Sequence, residues 1–466
     1  MIVSPHEAVR SLWHEAGLAE AGLAGLHLSG SEPALPSSFA VGTASQASLA
    51  AAAMAAVEIG RRRGQPEQSV AIDMREAALE CCAAFTVDGQ KPVVWDPVAG
   101  LYRCGANGLE GWVRLHTNFA HHRDGVLRLL GLPTGPGTTR AEVATALVGW
   151  SALDFEAAAA EAGMVVAALR SFETWEQHPQ HAAAAALPLI EITRIGDAPP
   201  LDWPAIAAGV RPLDGIRVLD LTRILAGPVA GRTLAAYGAD VILVNSAHLP
   251  NIDAIADTSR GKRSALADLR DADDRGAFTA VLAQSHVFLQ GYRPGSLQAL
   301  GFGPDDAARI RPGIVCVSLS AYGRDGPWAT RRGFDSLVQT ATGFNIAEAQ
   351  AAGSTTPKPL PMQILDMATA FLLAFGTQTA LLRQHKEGGS WHVQLSLART
   401  ALWLRSLGRM SDGFAATPAE FSAQMEASHS GFGRLLALRH SARFSATPAR
   451  YARPSVRPGT DWLAWD

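Results

Sequence analysis

The chain has 466 residues, 48% of them hydrophobic and 18% charged, which is an ordinary globular composition with room for two or three compact units. A net charge of −3 provides no general attraction to nucleic acid or to an anionic membrane, so neither is expected as a partner. Four cysteines, Cys81, Cys82, Cys104 and Cys316, make no CxxC pair and no regular framework, which points to a reduced, cytoplasmic setting.

The opening stretch, MIVSPHEAVRSLWHEAG, carries charges and no long apolar core, so no secretory leader is expected. No uncharged run reaches the roughly 18–20 residues of a membrane helix, and ASLAAAAMAAV (47–57) predicts a buried helix instead. PALPSS (33–38) predicts a loop. Alanine content and basic residues at the end predict a helix over Ser45 to Arg63. QSVAIDM (68–74) predicts a short strand, and REAALECCAAF a helix that buries Cys81 and Cys82. Residues 1–90 form this first segment.

Residues 91–205 change texture and predict a small α+β domain. KPVVWDPVAGLYRC and EGWVRLHTNF predict strands with turns, while HHRDGVLRLLGL, RAEVATALVGW and DFEAAAAEAGMVVAAL predict amphipathic helices. His116, His121 and His122 cluster in RLHTNFAHHRD. A metal site needs further ligands at suitable spacing, so these histidines are expected on the surface and no metal is expected. GLPTGPGTTR (131–140) lacks the Lys-Ser/Thr and the preceding strand of a phosphate loop and predicts a linker. The prolines and glycines of RIGDAPPLDWPAIAAGVRPLDG (194–215) mark a boundary.

From Gly215 the pattern becomes regular. IRVLDL, VILVN, HVFLQ and IVCVSLS predict strands, separated by SALADL and by helical runs at VAGRTLAAYG, FTAVLAQS, SLQALG and PDDAARI. Alternating strands and helices imply a doubly wound parallel sheet over residues 212–410, followed by a C-terminal extension, 411–466. Ligands of such sheets bind outside the carboxyl ends of the strands, where TRILAGP, QGYRPG and SAYGRDGP would meet. Asp335 follows the third loop in RRGFDSLVQTATG and opens an amphipathic run with Val338, Ala341 and Phe344. One carboxylate between a glycine-rich loop and a helix reads as a helix cap or as a nucleophile. There is no GxSxG elbow and no GxGxxG after the first strand, which argues against a serine hydrolase and a dinucleotide oxidoreductase. RRRGQPEQSVAIDMREAAL (61–79) and RQHKEGGSWHVQLSLARTAL (383–402) share an order of basic helix end, glycine-containing turn, short strand and Ala/Leu helix. Either chance or a pair of related segments accounts for that echo.

PLDGIRVLDLTRILAGPVAGRTLAAYGADVI, RGKRS, HVFLQGYRPGSLQALGFG, AYGRDGP, GFDSLVQ, Asp366 and GGSWHVQLSLA together resemble the family III CoA-transferases. This is the CaiB–BaiF group, which includes formyl-CoA and carnitine CoA-transferases and α-methylacyl-CoA racemase. The likeness runs from Pro212 to about Arg409. Residues 1–205 resemble the same family's later segments, so the order is that of a fused tandem or of a permuted single copy. The resemblance implies a Rossmann-like large domain with a second, smaller α+β domain, and an interlocked homodimer or a pseudo-dimer within one chain.

The resemblance also implies a chemistry. Asp335 would attack an acyl-CoA thioester to give a mixed anhydride, CoA would return to form an aspartyl-CoA thioester, and a second acid would collect the CoA. Coenzyme A, acyl-CoA and carboxylic acids are the implied ligands. Arg260, Lys262 and Arg263 would lie near the nucleotide end of CoA. Arg223, Ile224, Ala226 and Gly227 would bring backbone close to it, Tyr292 would stack on adenine and Arg293 would meet a phosphate, with Tyr322 nearby. The chain departs from the family pattern at Leu243, Asn245, Gly291 and Ala321. Two other readings stay open: a racemase, although no histidine lies between His286 and Asp335, and a degenerate CoA-fold protein without turnover.

Overall fold

Short apolar runs rich in Val, Ile and Leu can be buried on both faces only if helices cover both sides of their sheet. The computed structural model, which describes residues 2–465, contains that sheet. Its strands lie in the order Arg263–Leu266, Asp240–Asn245, Arg217–Leu221, Val287–Gln290, Val315–Ser320, Ser390–Ser396 and Glu191–Gly196. The first six are parallel and the last is antiparallel. In sequence terms the parallel strands run 3-2-1-4-5-6, the Rossmann order, with the reversal between Arg217–Leu221 and Val287–Gln290. Neighbouring residues along each strand go to opposite cores. Val218, Val241, Val287 and Val315 pack with the helices Ala226–Ala236 and Ile364–Glu387. Leu219, Ile242, Phe288 and Cys316 pack with Phe278 and Ala307 on the other face. Each buried aromatic or branched side chain contributes about 1.5–3 kcal/mol.

Ile364–Glu387 is long and apolar enough to cross a membrane by length and composition alone, yet its apolar window is wholly buried inside the protein. Its main neighbour is the alanine-rich helix Val41–Arg62, to which Gln378 Nε2 donates at the carbonyl of Ala52. That helix starts four residues before the predicted Ser45, because Ala40 and Val41 are already buried among Phe39, Phe344 and Phe172.

The echo between the two halves has a structural counterpart. Leu26–Ser29 pairs in parallel with Val70–Asp73, and Arg443–Phe444 pairs antiparallel on the other edge. In the large sheet Val315–Ser320 pairs in parallel with Ser390–Ser396, and Glu191–Gly196 pairs antiparallel beyond it. A long helix links the strands in each case, and a helix follows: Met74–Glu80 in one, Leu397–Ser406 in the other. The two halves exchange their third strands. Residues 411–465 therefore return across the molecule, where Met425–Ser430 and Gly433–Leu438 also form a sheet with Phe85–Val87.

The small α+β unit has the three strands Gly100–Cys104, Gly111–Leu115 and Val166–Ala168 over a separate core that includes Val113, Val126, Val143 and Phe155. The predicted helix over 154–169 is shorter: Ala152–Glu161 ends before Gly163, whose φ of +73° is left-handed, and the β-branched residues beyond it enter a strand. SALADL likewise begins in the strand Arg263–Leu266.

Candidate active site

Asp335 is the first residue of the helix Asp335–Ala341, and its side chain caps no amide of that helix. It is 1% exposed. Gln339 Nε2 donates to one carboxylate oxygen at 2.5 Å, and the backbone N–H of Asp366 donates to the other at 2.8 Å. Asp366 is the third residue of Ile364–Glu387, so the anion sits at the positive end of a 24-residue helix. The N–H of Leu365 and the guanidinium of Arg114, on the strand Gly111–Leu115, add to this field.

Burial pushes the Asp335 carboxyl up from its ordinary range, and these donors pull it back. Asp366 is raised further, by burial and then by the neighbouring Asp335 charge. Burial thus disfavours the charge on both carboxyls, and more strongly on Asp366, which has fewer donors. Arg114 is pulled down to about 10 by burial, opposed by Asp335, and its buried Nε has no partner.

A cavity of about 450 Å³ opens beside this pair, with Asp366 but not Asp335 among its lining residues. Asp366, Gly333 and Phe334 form its floor. The loops after the first, fourth and fifth parallel strands form its walls, as the position of the strand reversal dictates. Arg223, Ile224 and Ala226 come from the first loop, Tyr292 and Arg293 from the second, and Ser320 and Ala321 from the third. Ile224 has φ +78°, a strained conformation for a β-branched residue, and the strain lies in the turn that faces the cavity. Arg223, Arg293 and Arg332 line it with no carboxylate at salt-bridge distance among the described residues. Arg331 is balanced by Glu156 at 3.4 Å. A second cavity of about 330 Å³ shares Leu221, Leu249, Tyr292 and Ser296 with the first and reaches Asn245, whose buried Oδ1 has no partner.

The structure places the remaining sequence-predicted residues elsewhere. Arg260 pairs with Asp257 at 2.6 Å and Glu426 at 2.9 Å and stacks on Tyr451. Lys262 is fully enclosed, 2.8 Å from Asp220 and 2.7 Å from the carbonyl of Pro228. Arg263 pairs with Asp240 and bonds to the carbonyl of Ala464. The basic cluster is thus an internal brace: removed from water, each cation needs a carboxylate of its own. Gly227 lies in the first helical turn, where a Cβ would come within 2.4 Å of Thr222, so its role is close packing. Tyr322 is buried edge-on to Trp328 and does not line the cavity.

The histidines correct the expectation of a surface cluster. His116 and His122 are each 5% exposed. His116 stacks on Phe334 with ring centres 3.8 Å apart, and His121 and His122 line the cavity with Phe119. Burial, then the neighbouring histidine, lowers both His116 and His122 to about 3, so both are neutral. Arg332 donates to His122 Nε2 at 3.3 Å, tying the small unit to the loop before Asp335. Sequence reading missed Arg114 and Arg332. Arg332 was visible two residues before the Gly-Phe-Asp motif's aromatic, whereas nothing local marks Arg114.

The strand reversal of a doubly wound sheet thus brings a buried carboxylate pair and three arginines together. Residues 213–430 match the sequence profile of CoA-transferase family III. It is 32% identical over 210 residues to a probable fatty acyl-CoA transferase of Mycobacterium tuberculosis, covering 42% of this chain and 53% of that protein. It is 30% identical over 202 residues to the human succinyl-CoA:glutarate CoA-transferase, covering 40% and 45%. A solved CaiB/BaiF family protein from Brucella suis is 24% identical, with 48% of this chain and 65% of that chain covered and a TM-score of 0.38. The chain spans about half the length of the curated relatives it matches.

Proposed function

We propose that this protein transfers CoA between an acyl-CoA and a carboxylic acid, with Asp335 as nucleophile and the linked cavities as the CoA cleft. The observation that carries the reading is the set of donors that converges on the buried Asp335 carboxylate next to a cavity lined by Asp366. Asp335 accepts from Gln339 and from the Asp366 backbone and acts in this reading as the anion, while Asp366, which lines the cavity, acts as the proton-holding partner. A desolvated carboxylate held by fixed donors attacks the thioester carbon, and CoA leaves as thiolate. The Asp366 hydroxyl donates a hydrogen bond to that thiolate. The thiolate then attacks the aspartyl carbonyl and expels the first acid as its carboxylate. The incoming acid's carboxylate attacks the aspartyl-CoA thioester and frees the thiolate again. Attack of the thiolate on the new acyl carbonyl releases new acyl-CoA and Asp335. Backbone N–H groups at the helix start stabilise each oxyanion. Arg223, Arg293 and Arg332 suit the CoA phosphates, and the cavity toward Asn245 suits its nucleoside.

Proton exchange at an α-carbon fits less well. It needs a histidine that can take and give a proton near neutral pH, and His122 is held neutral with Nε2 already bonded to Arg332. The proposal includes an intrachain pseudo-dimer, since the amino-terminal half supplies Phe119, His121 and His122 to a cavity whose nucleophile lies in the other half. Mass spectrometry of the Asp335 peptide after exposure to succinyl-CoA or an aliphatic acyl-CoA tests the reading. An acyl or CoA adduct on Asp335, released by hydroxylamine, is expected. An unmodified peptide together with no CoA binding in calorimetry would sink it.

A further inference from the structure

The strand Gly111–Leu115 belongs to the small unit of the amino-terminal half and packs against the helix that Asp335 begins. Side chains alternate along a strand. Val113 and Leu115 enter the small unit's own core, so Arg114 and His116 take the opposite face. That face meets the catalytic helix: His116 stacks on Phe334, the residue before Asp335, and the charge of Arg114 acts on Asp335 itself.

Arg114 is 8% exposed, and among the described residues its guanidinium makes no hydrogen bond and has no carboxylate at salt-bridge distance. Only the ring of Trp95, 5.2 Å away, supports it, while Arg140 repels it. The other buried arginines are treated differently. Arg63, Arg170, Arg232, Arg260 and Arg263 all donate to carbonyls or carboxylates. An enclosed N–H without a partner costs stability, so its persistence calls for a reason.

The position of Arg114 supplies one. A cation bonded directly to Asp335 would stabilise the resting carboxylate and blunt its attack. A cation set back from it, with its N–H groups free, gains only when charge moves away from the carboxylate. Its pull on resting Asp335 is weaker than those of Gln339 and the backbone donors. When an Asp335 oxygen bonds to the thioester carbon, the carbonyl π pair moves onto the acyl oxygen. When that pair returns, the C–S bond breaks and CoA leaves as thiolate. Negative charge therefore passes from the carboxylate through the acyl oxygen to sulfur. The acyl group arrives from the cavity, at Phe334 and Asp366, and Arg114 stands on the side of the small unit.

We propose that Arg114 is a catalytic residue of the transfer: its guanidinium donates hydrogen bonds to the acyl oxygen as Asp335 attacks, so the amino-terminal half supplies part of the reacting centre. The inference rests on the transferase reading with Asp335 as nucleophile.

The test uses the full chain and succinyl-CoA. Rapid-quench mass spectrometry gives the rate at which the Asp335 adduct forms, and calorimetry gives the affinity for free CoA. Arg114→Gln should slow adduct formation about 100–1,000-fold and leave CoA affinity unchanged. The deficit should be the same at every pH, and Arg114→Lys should recover part of the rate. An unchanged rate overturns the inference. So does a deficit that vanishes at alkaline pH, which would mean that Arg114 merely keeps Asp335 ionised. If Arg114→Gln fails to fold, Arg114→Lys decides: a lowered rate at unchanged CoA affinity is expected, and a wild-type rate overturns the inference. No adduct in the wild type would remove the transferase reading itself, whereas an adduct that forms as fast in Arg114→Gln removes only the role of Arg114.

Discussion

Two carboxylates in this protein are held in the same way, and one of them lies next to Asp366 at the wall of a cavity. Asp335 accepts from the backbone of Leu365 and Asp366, the second and third residues of Ile364–Glu387. Glu32 accepts from the backbone of Gly42 and Thr43, the second and third residues of Val41–Arg62. The two helices pack side by side, and each leads into a short parallel strand and another helix. The same anion cradle has been built twice, because any helix start offers unpaired amides. What differs is the surroundings. The third residue is Asp366 in one half and Thr43 in the other. Arg114 faces Asp335, whereas Ala34 and Met74 close over Gly42, where a Cβ would lie 2.5 Å and 2.9 Å from their side chains. A carboxylate at a helix start is an architectural habit. It becomes a reactive site only where a second carboxyl, a cation and a cavity converge on it.

The largest effect that could break this comparison is Asp335→Asn, which should reduce CoA transfer by about 10⁴-fold or more. The melting temperature should not fall, since the change relieves repulsion between two buried carboxyls. A variant that keeps its activity would move the nucleophile elsewhere, with Asp366 the first alternative. Lys262→Met comes next and should act in the opposite sense. It strands Asp220, which is 0% exposed, and should cost about 3–5 kcal/mol in denaturant unfolding. KM for acyl-CoA in the protein that does fold should be unchanged. A raised KM at full stability would return the basic cluster to the ligand.

That contrast also shows what the sequence could reveal. The parallel strands from Ile216 to Ser320 were legible because each is a compact apolar run bounded by turn residues, and the loops at their carboxyl ends follow from the topology. Asp335 was legible from its place after a glycine-rich loop. The partners of RGKR were not. A run of cations reads the same on a solvated turn and in a buried brace, and only the fold shows that Asp220, Asp240 and Asp257 lie opposite it. Nor was Arg114: it reaches Asp335 from a strand 221 positions earlier in the chain. The histidines misled because a short His-rich segment carries no sign of which loop will cover it. The repeated unit showed only as a faint echo, since alanine-rich helices resemble each other by composition, and its strand exchange is a property of pairing.

Asp366→Asn sharpens the comparison at the next level, by making the two cradles alike. Loss of the bonded proton should lower kcat about 100-fold, with KM for acyl-CoA little changed. It should also alter the pH dependence of stability. Because burial raises both carboxyls, the folded chain keeps protons that the unfolded chain releases. That stabilisation is complete below the ordinary carboxylate value of about 3.9 and is lost as pH rises through the raised values. The variant has one site fewer to lose. Its melting temperature should therefore gain on the wild type as pH rises from about 4 toward neutrality. A constant gap would mean that the pair does not share a proton. Arg332→Leu should raise KM for acyl-CoA about tenfold and leave an adduct on Asp335 detectable, as expected of a phosphate contact. A loss of adduct would give Arg332 a place at the reacting atoms.

Glu32→Gln should have the smallest effect and is the most direct probe of the comparison. The substitution keeps an oxygen to accept from Ala34 at 2.9 Å or Thr43 at 2.6 Å and removes only a charge that burial already disfavours. Stability should change by no more than about 1 kcal/mol, and CoA transfer should be unaltered. Chemical unfolding and steady-state assays on the same preparation check both. If transfer fell as steeply as in Asp335→Asn, the amino-terminal cradle would itself be reactive, and the protein would hold two sites related by its internal repeat. If transfer is untouched, the second cradle shows what the first is without its cavity: a carboxylate that ends a loop and starts a helix.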